Sequence, residues 1–299
     1  MGAPQRSAAV EEILVAAIKN DLKMETRFLA VSLLDRYLDL KSRPVLGIPP
    51  LRPLHPPSSS SSSCTAFRCS ISAGFCNRAS SDVKQLAWGG KPMTETGLDL
   101  VACAALLIAV KYEESYQKAV AMSVNIFARA LQLGALSKKV LVELEFEVLS
   151  VLKCDINAPT MHSFLARYVR AGLLNAEECT LASLLAERCL CEHAMIRHLP
   201  STQAAAVVSL TRQVVRGRSP WSPTLFRYTL LSHAEIADCA SAIQSFLQHE
   251  EAQRLARSAG QAAVFAGDGL RSIYQDRWYS LLVTLPSRAL VTPVPYDDF

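Results

Sequence analysis

One uncharged stretch in the middle of the chain restricts the possible folds more than any other feature. From Leu100 to Val110 there is no charged residue, no glycine and no proline, and the small residues 102–105 precede the larger residues 106–108. A helix that is apolar on all sides lies at the centre of a bundle. The stretch is shorter than the roughly 20 residues that a membrane-spanning helix needs. We therefore predict a helix buried within the protein and ending near Lys111.

A second helix is predicted between Ser137 and Pro159. Apolar and acidic residues alternate from Val142 to Val148, which is typical of a strand. The N-cap residue Ser137 and the absence of a helix breaker before Asp155 favour a helix instead. At about 100° per residue, this helix has one apolar stripe, made up of Leu141, Leu144, Val148, Leu149 and Leu152. Its opposite, solvent-facing side is predicted to carry Glu143, Glu147 and Ser150.

Glu145 falls within this apolar stripe. A buried carboxylate without a partner costs several kcal/mol, so the residue requires an explanation. One interpretation is that Glu145 lies at the rim of the stripe and reaches water. The other is that it pairs with Lys111 across two packed helices, and that the pair offers hydrogen-bonding groups to another molecule.

Several segments around these residues resemble the cyclin box of mitotic (A/B-type) cyclins. They are LLIAVKYEE at 106–114, the SKK…LE…VL helix, CDINAPT at 154–160, METRFLAVSLLDRYL at 24–38 and MHSFLARYV at 161–169. Their order and spacing agree over most of the chain outside 41–96 and the extreme C-terminus. The resemblance implies an all-α protein with two tandem cyclin-like five-helix repeats.

The resemblance also implies a kinase-binding site. In cyclins, the residues that match Lys111 and Glu145 bind backbone groups beside the regulatory helix of a cyclin-dependent kinase. That helix packs on apolar residues, which are matched here by Ile108, Leu149, Leu152 and Ile156. Cyclins usually have Phe where this chain has Cys154, so we expect a smaller kinase-facing pocket.

Two amphipathic helices are predicted before the uncharged stretch, at Val10–Ile18 and Glu25–Leu38. Asp35 falls beside the apolar side of the second helix and needs a partner there unless it reaches water. In cyclins the matching aspartate pairs with an arginine of the first helix, and the resemblance places Arg6 at that position.

The first helix departs from the cyclin pattern. Many mitotic and S-phase cyclins have an apolar patch there that docks substrates containing an Arg-x-Leu motif, and the matching residues here are Gln5, Ala8, Ala9 and Glu12. We predict that this docking is absent. The helix that precedes it in cyclins has no counterpart, so we expect either a truncated sequence or weaker partner binding and a different degradation route.

An insert occupies residues 41–96, where cyclins have a short turn. It has repeated prolines, a serine run at 58–63 and no sustained periodicity, so we predict that it is disordered. It contains seven Lys or Arg against Asp82 and Glu95, whereas the whole chain has a net charge of +4. Three interpretations stay open: a neutral insertion, a phosphorylated regulatory loop, or a translated intron.

The second half of the chain repeats the pattern of the first. Ser201–Val215 again places small residues beside aliphatic ones and has no charge before Arg212, which indicates an internal duplication. We predict an N-terminal cyclin box at 1–158, a C-terminal cyclin box at 159–254 and a tail at 255–299.

Other classes of function lack their motifs. There is no glycine-rich phosphate loop, no HExxH, no GxSxG and no kinase signature. The six histidines are isolated, and we expect His162 at the surface. The nine cysteines lack the paired C-x2-C spacing of zinc sites, and without a secretory signal they predict reduced thiols in the nucleus or cytoplasm. We therefore expect no catalytic residues, no metal and no cofactor.

The sequence thus predicts an activating subunit that forms a heterodimer with a cyclin-dependent kinase and controls cell-cycle progression. We expect no nucleic-acid partner, because the folded part of the chain has no positive excess. We also expect no membrane partner and no small-molecule ligand. Two alternatives use the same fold. One is a degenerate cyclin that activates no kinase, and the other is a transcription-type relative of general transcription factor IIB or the retinoblastoma pocket.

Overall fold

The computed structural model describes residues 3–42, 95–132, 138–216 and 221–258. Within these residues, the first repeat has five helices that share one apolar core. They are α1 (Ala3–Lys19), α2 (Met24–Ser42), α3 (Glu95–Glu113), α4 (Tyr116–Gln132) and α5 (Lys138–Val151).

Helix α3 lies at the centre of this repeat and contacts the other four helices. Every side chain from Leu100 to Val110 is buried except the partly buried Cys103, which confirms the predicted central helix. None of the described helices combines the length and apolar character needed to cross a bilayer.

The second repeat also has five α-helices in the described part of the chain. They are α6 (Met161–Ala171), α7 (Ala176–Cys191), α8 (Pro200–Arg216), α9 (Pro223–Thr229) and α10 (His233–Ser258), with a short 3-10 helix at His193–Arg197. Helix α8 has the position of α3: residues 204–208 are fully buried, and the helix contacts α6, α7 and α10. The duplicated central helix is thus confirmed.

Local side-chain signals set the starts of three helices in this repeat. Asn175 and Glu178 form a reciprocal capping box at the start of α7. Ser222 caps α9, whose first residue is a proline. The hydroxyl of Ser232 accepts from the backbone N–H of Glu235 at the start of α10.

The two repeats share side chains across their boundary. Phe28 of α2 is buried in the core of the second repeat, and Cys191 of α7 is buried in the core of the first. Arg27 also donates to the carboxylate of the buried Glu187 at 2.5 Å. Burial raises the pKa of Glu187, and the Arg27 guanidinium opposes that rise. The repeats are therefore joined by packing and by charge.

Several of the predicted boundaries fall within helices, and the predicted domain limits stay predictions. Helix α2 runs through Ser42 and α3 begins at Glu95, so both ends of the 41–96 segment are helical. Helix α10 continues to Ser258, beyond the predicted limit at residue 254. The predicted disorder at 43–94, the predicted cap Ser137 and the segment 259–299 lie outside the described residues.

The predicted solvent-facing side of α5 is partly wrong. The carboxylate of Glu147 accepts from the Tyr37 hydroxyl at 3.0 Å and lies 2.6 Å from the Lys41 ammonium. Burial and the Glu147 charge raise the pKa of Tyr37. The C-terminal turns of α2 thus cover this part of α5, and the side chain of Glu143 is also mostly buried. Ser150 is exposed, as predicted.

His162 is not a surface residue, contrary to the sequence-based expectation. Its ring lies 5.7 Å from the Phe28 ring, and its side chain is mostly buried. Burial lowers the pKa of His162, and the nearby carboxylates of Glu25 and Glu113 act in the opposite direction. The imidazole at the start of α6 therefore belongs to the boundary between the two repeats.

This burial predicts a pH-dependent stability. The unfolded chain takes up a proton near the ordinary pKa of 6.5, whereas the folded chain resists protonation until a lower pH, so the free energy of unfolding falls as the pH drops below that value. One pH unit below this pKa, the loss in the free energy of unfolding caused by His162 amounts to up to about 1.4 kcal/mol. Replacing His162 by glutamine is expected to remove this loss. Urea unfolding of both proteins at several pH values measures this. If the free energy of unfolding changed with pH in the same way in both proteins, the assignment of the pH dependence to His162 would be wrong.

Candidate functional site

Lys111 and Glu145 meet where the end of α3 packs against the middle of α5. The Lys111 ammonium donates to both carboxylate oxygens of Glu145, at 2.6 and 2.7 Å. The Glu145 side chain is only 13% exposed, whereas that of Lys111 is 47% exposed. The carboxylate within the apolar stripe thus has a partner, and the partner is accessible from outside.

The pair retains capacity for further hydrogen bonds. An ammonium group has three donors, and Lys111 directs two of them to Glu145. A carboxylate offers about four acceptor positions. A protein that covers the pair can therefore present a backbone carbonyl to Lys111 and a backbone N–H to Glu145 at the same place.

The apolar residues predicted to bind the kinase occupy three different environments. Ile108 and Leu152 are each 3% exposed and belong to the core of the first repeat. Leu149 and Ile156 are partly buried and pack against that core. Cys154 is exposed, and Lys153 and Cys154, which follow the end of α5, are both in the left-handed region, with φ of 53° and 57°. Among these positions, Leu149, Ile156 and Cys154 offer surface to a partner.

Other apolar side chains next to the pair were missed by sequence reasoning. Tyr112 and Phe146 directly follow Lys111 and Glu145 in the chain, and both are exposed. Val142, one turn before Glu145, and Tyr116, at the start of α4, are exposed as well. The only feature of the sequence that could have identified them is that they are apolar residues outside the buried stripes of their helices. The chain segments next to the pair thus carry exposed apolar side chains as well as charged ones.

Arg6 and Asp35 form the bidentate pair that the resemblance implied. The guanidinium donates to both oxygens of Asp35 at 2.7 Å. It also donates to the carbonyl oxygens of Leu190 and Cys191, at 2.7 and 3.3 Å. These are among the last carbonyls of α7, which have no partner within their own helix. Arg6 therefore joins α1 and α2 to the second repeat, a contact that the sequence did not indicate.

The four positions of the expected docking patch do not form an apolar surface. Gln5, Ala8 and Glu12 are exposed, and Ala9 is buried in the core. The carboxylate of Glu12 accepts from Arg129 of α4 at 2.8 Å. A peptide that placed a leucine here would have to desolvate this ion pair, which is unfavourable.

We accordingly expect no micromolar affinity for an Arg-x-Leu peptide. Fluorescence anisotropy with a labelled peptide measures this directly. The contrary result is micromolar binding that is lost when Glu12 is replaced by lysine, because it would show that the carboxylate attracts the peptide arginine.

Comparison with known proteins identifies the family. The profile described as the cyclin N-terminal domain matches residues 87–157, and that described as the cyclin C-terminal domain matches residues 159–262. Together they cover more than half of the chain. Both parts of the Lys111–Glu145 pair lie within the first match.

Similar proteins include A- and B-type cyclins from plants and animals. Cyclin-B1-1 of Arabidopsis thaliana is 31% identical over 205 residues, which are 68% of this chain and 45% of that protein. G2/mitotic-specific cyclin-B of Spisula solidissima is 31% identical over 55% of this chain and 37% of that protein. Cyclin-A1 of Carassius auratus is 37% identical over 48% of this chain and 35% of that protein. The matched region thus spans less than half the length of these relatives.

A solved structure has the same fold. The X-ray structure of a viral cyclin from herpesvirus saimiri aligns with a TM-score of 0.51 and 16% identity, over 81% of this chain and 87% of that one. The all-α architecture, the two domain matches and the A- and B-type relatives agree with one another. The chain belongs to the cyclin family, among the mitotic cyclins.

Proposed function

We propose that this cyclin is a regulatory subunit that binds and activates a cyclin-dependent protein kinase, acts in the cell cycle and catalyses no reaction itself. The observation that carries the proposal is the Lys111–Glu145 ion pair at the surface between α3 and α5. The residues matching this pair in cyclins bind a kinase. We further propose that it acts in the nucleus or cytoplasm.

The geometry supports a specific mode of binding. The pair would fix the register of the kinase helix by hydrogen bonds to its backbone, because charged groups set orientation at interfaces. Burial of the partly buried Leu149 and of the exposed Tyr112 and Phe146 would supply most of the affinity. The cyclin activates the kinase if it binds one position of the regulatory helix more tightly than the other.

Ile108 and Leu152 have an indirect role in this proposal. Because both side chains are buried in the core, they would set the separation of α3 and α5 rather than contact the kinase over a large area. The spacing of these two helices determines whether the Lys111 ammonium reaches Glu145. The two residues therefore position the ion pair.

A cyclin fold that activates no kinase is the second candidate. It is favoured by one observation: the exposed residue at the end of α5 is Cys154, where cyclins usually have Phe. A thiol buries much less apolar area than a phenyl ring, so the contact with the kinase helix would be weaker.

One reconstitution experiment separates the two candidates. The full-length chain is co-expressed with each of a panel of cyclin-dependent kinases, and co-purification and histone phosphorylation are measured. Our proposal predicts a stable complex with at least one kinase and a large increase in its activity over the kinase alone. Complex formation without phosphorylation would favour the second candidate, and the absence of any complex would contradict the proposal.

A further inference from the structure

One surface of the second repeat combines aromatic rings with arginines. Helices α6 and α9 pack against each other there: the rings of Tyr168 and Tyr228 meet edge to face, with their centroids 6.3 Å apart. The Phe164 ring lies 6.1 Å from that of Tyr168, so three rings form a row across both helices. We call these rings, together with Arg167 and Arg227, the aromatic–arginine face. It shares no residue with the ion-pair site or with the docking-patch positions described above.

The tyrosines of this face retain hydrogen-bonding capacity. Tyr228 is 54% exposed, whereas Tyr168 is a buried residue of the core, and neither hydroxyl forms a hydrogen bond with a described residue. Burial raises the pKa of Tyr168, the neighbouring Tyr228 adds to the rise, and the Arg167 guanidinium opposes it. The Arg167 charge therefore lies close enough to the Tyr168 hydroxyl to act on it. A phenol and a guanidinium both donate hydrogen bonds, so this part of the face suits an acceptor.

The arginines of this face have no compensating charge on their own helices. Arg167 and Arg227 are exposed, and neither forms an ion pair or a hydrogen bond with a described residue. The segments 159–176 and 217–234, which contain α6 and α9, include no Asp or Glu. Helix α8, which packs on α6, has none either. A negatively charged partner is therefore favoured at this face.

Exposed apolar side chains adjoin the arginines. Phe226 is 38% exposed and Leu230 is 77% exposed, and with Tyr228 they leave the short helix α9 with a largely apolar surface around Arg227. Aromatic residues and arginine are the types enriched where proteins bind each other. A partner that covers α9 can therefore bury apolar area in addition to pairing with the arginines.

The size of the face and its charge limit the class of partner. Helix α6 has 11 residues and is thus about 16 Å long, which matches roughly five residues of an extended peptide. Its two arginines would neutralise about two phosphates, whereas a nucleic-acid-binding protein typically makes roughly six to ten phosphate contacts. The face therefore suits a short acidic peptide better than a nucleic acid.

We propose that the aromatic–arginine face of α6 and α9 binds an acidic peptide segment of another protein. A carboxylate of the segment accepts hydrogen bonds from the Arg167 guanidinium, whose planar fork fits a carboxylate bidentately, and from the Tyr168 hydroxyl. A second acidic residue pairs with Arg227, and an apolar residue of the segment packs on the exposed Tyr228 ring. The charges give the segment its orientation, and the ring gives it buried apolar area.

The test begins with a phage library that displays random dodecapeptides. The library is first depleted on a full-length variant that combines Arg167→Glu with Arg227→Glu, and is then selected on the full-length wild type. We expect enriched peptides with two or more acidic residues beside an aromatic residue or a leucine. Both substitutions lie at exposed positions, and circular dichroism checks that the variant is folded.

Fluorescence anisotropy with the most enriched peptide then locates the binding. Arg167→Ala is expected to weaken it about tenfold, the loss of hydrogen bonds to a charged group, and added salt is expected to weaken it as well. Arg170→Ala is the matched control. Arg170 is also exposed on α6 and forms no ion pair with a described residue, but it is turned about 200° from Tyr168 around the helix. Its replacement is expected to leave the affinity unchanged.

Four results would overturn the proposal. The first is no enrichment on the depleted library, and the second is enrichment of peptides without acidic residues. The third is an equal loss of affinity in Arg167→Ala and Arg170→Ala, which would show a general charge effect. The fourth is tighter binding of a single-stranded oligonucleotide than of the peptide, lost in Arg167→Ala, which would assign the face to nucleic acid. Each result leaves the proposed kinase complex unaffected, because no kinase is present in the assay.

Discussion

Replacing Lys111 by alanine is expected to weaken binding of the cyclin-dependent kinase by about 2–5 kcal/mol, because it leaves one member of a charge pair without its partner in the interface. This corresponds to a loss of affinity of roughly 30-fold to several thousand-fold. In the free chain, the carboxylate of Glu145 is already mostly buried and depends on the Lys111 ammonium. Once the kinase covers the pair, the truncated variant would bury an unpaired negative charge. Biolayer interferometry with immobilised kinase measures the change.

Lys139 provides the matched control for this prediction. It lies on α5, the helix that carries Glu145, its side chain is 75% exposed, and its ammonium is 3.7 Å from the carboxylate of Glu143 four residues later. A helix-surface pair at this spacing, with a largely exposed lysine and a distance of 3.7 Å, contributes about 0.5 kcal/mol or less. Lys139→Ala is therefore expected to bind the kinase nearly as well as the wild type. An equal loss in both variants would show a general charge effect rather than a specific contact.

Replacing Arg6 by alanine is expected to lower the free energy of unfolding by about 3–5 kcal/mol, the cost of removing one member of a buried ion pair. The Arg6 side chain is only 4% exposed. Its loss leaves Asp35 without its bidentate donor and removes the donor to the carbonyl of Leu190. Because Arg6 connects α1 and α2 with α7, we expect the loss of stability to affect the contact between the two repeats. Urea unfolding followed by circular dichroism measures the change.

Two further variants test the reason for this loss. Arg36→Ala removes another arginine–carboxylate pair of α2, in which Asp155 is largely exposed, and is expected to cost at most about 1 kcal/mol. Arg6→Lys keeps the charge but loses the planar fork that serves Asp35 and the α7 carbonyls together. We expect an intermediate loss for it. If Arg6→Ala cost no more than Arg36→Ala, the assignment of Arg6 as the connector of the repeats would be wrong.

The spacing of apolar residues along a helix predicts which of its sides is buried against neighbouring helices. The uncharged residues 100–110 were predicted to lie at the centre of a helical bundle, and the structure places them there. The position of Glu145 within the apolar stripe of α5 likewise followed from the helical period. Its proposed partner, Lys111, lies at the end of the central helix, on which the stripe was expected to pack. These predictions succeeded because each depended on one or two helices.

Contacts supplied by a third helix could not be predicted in this way. Glu147 falls on the solvent-facing side of an isolated α5, but Tyr37 and Lys41 of α2 cover it. His162 is buried because Phe28 crosses into the core of the second repeat. The bonds from Arg6 to the end of α7 join residues 184 and 185 positions apart. Such contacts depend on how the repeats pack, and the pattern of one helix does not encode that.

A double-mutant cycle on Lys111 and Glu145 tests most directly whether the pair binds the kinase as a unit. The affinity of one kinase is measured for the wild type, for Lys111→Ala, for Glu145→Ala and for the double variant. We predict that each single substitution costs about 2–5 kcal/mol and that the double variant costs clearly less than their sum, because removing both charges leaves neither unpaired. Losses below about 0.5 kcal/mol in all three variants, within the error of such cycles, would contradict the account.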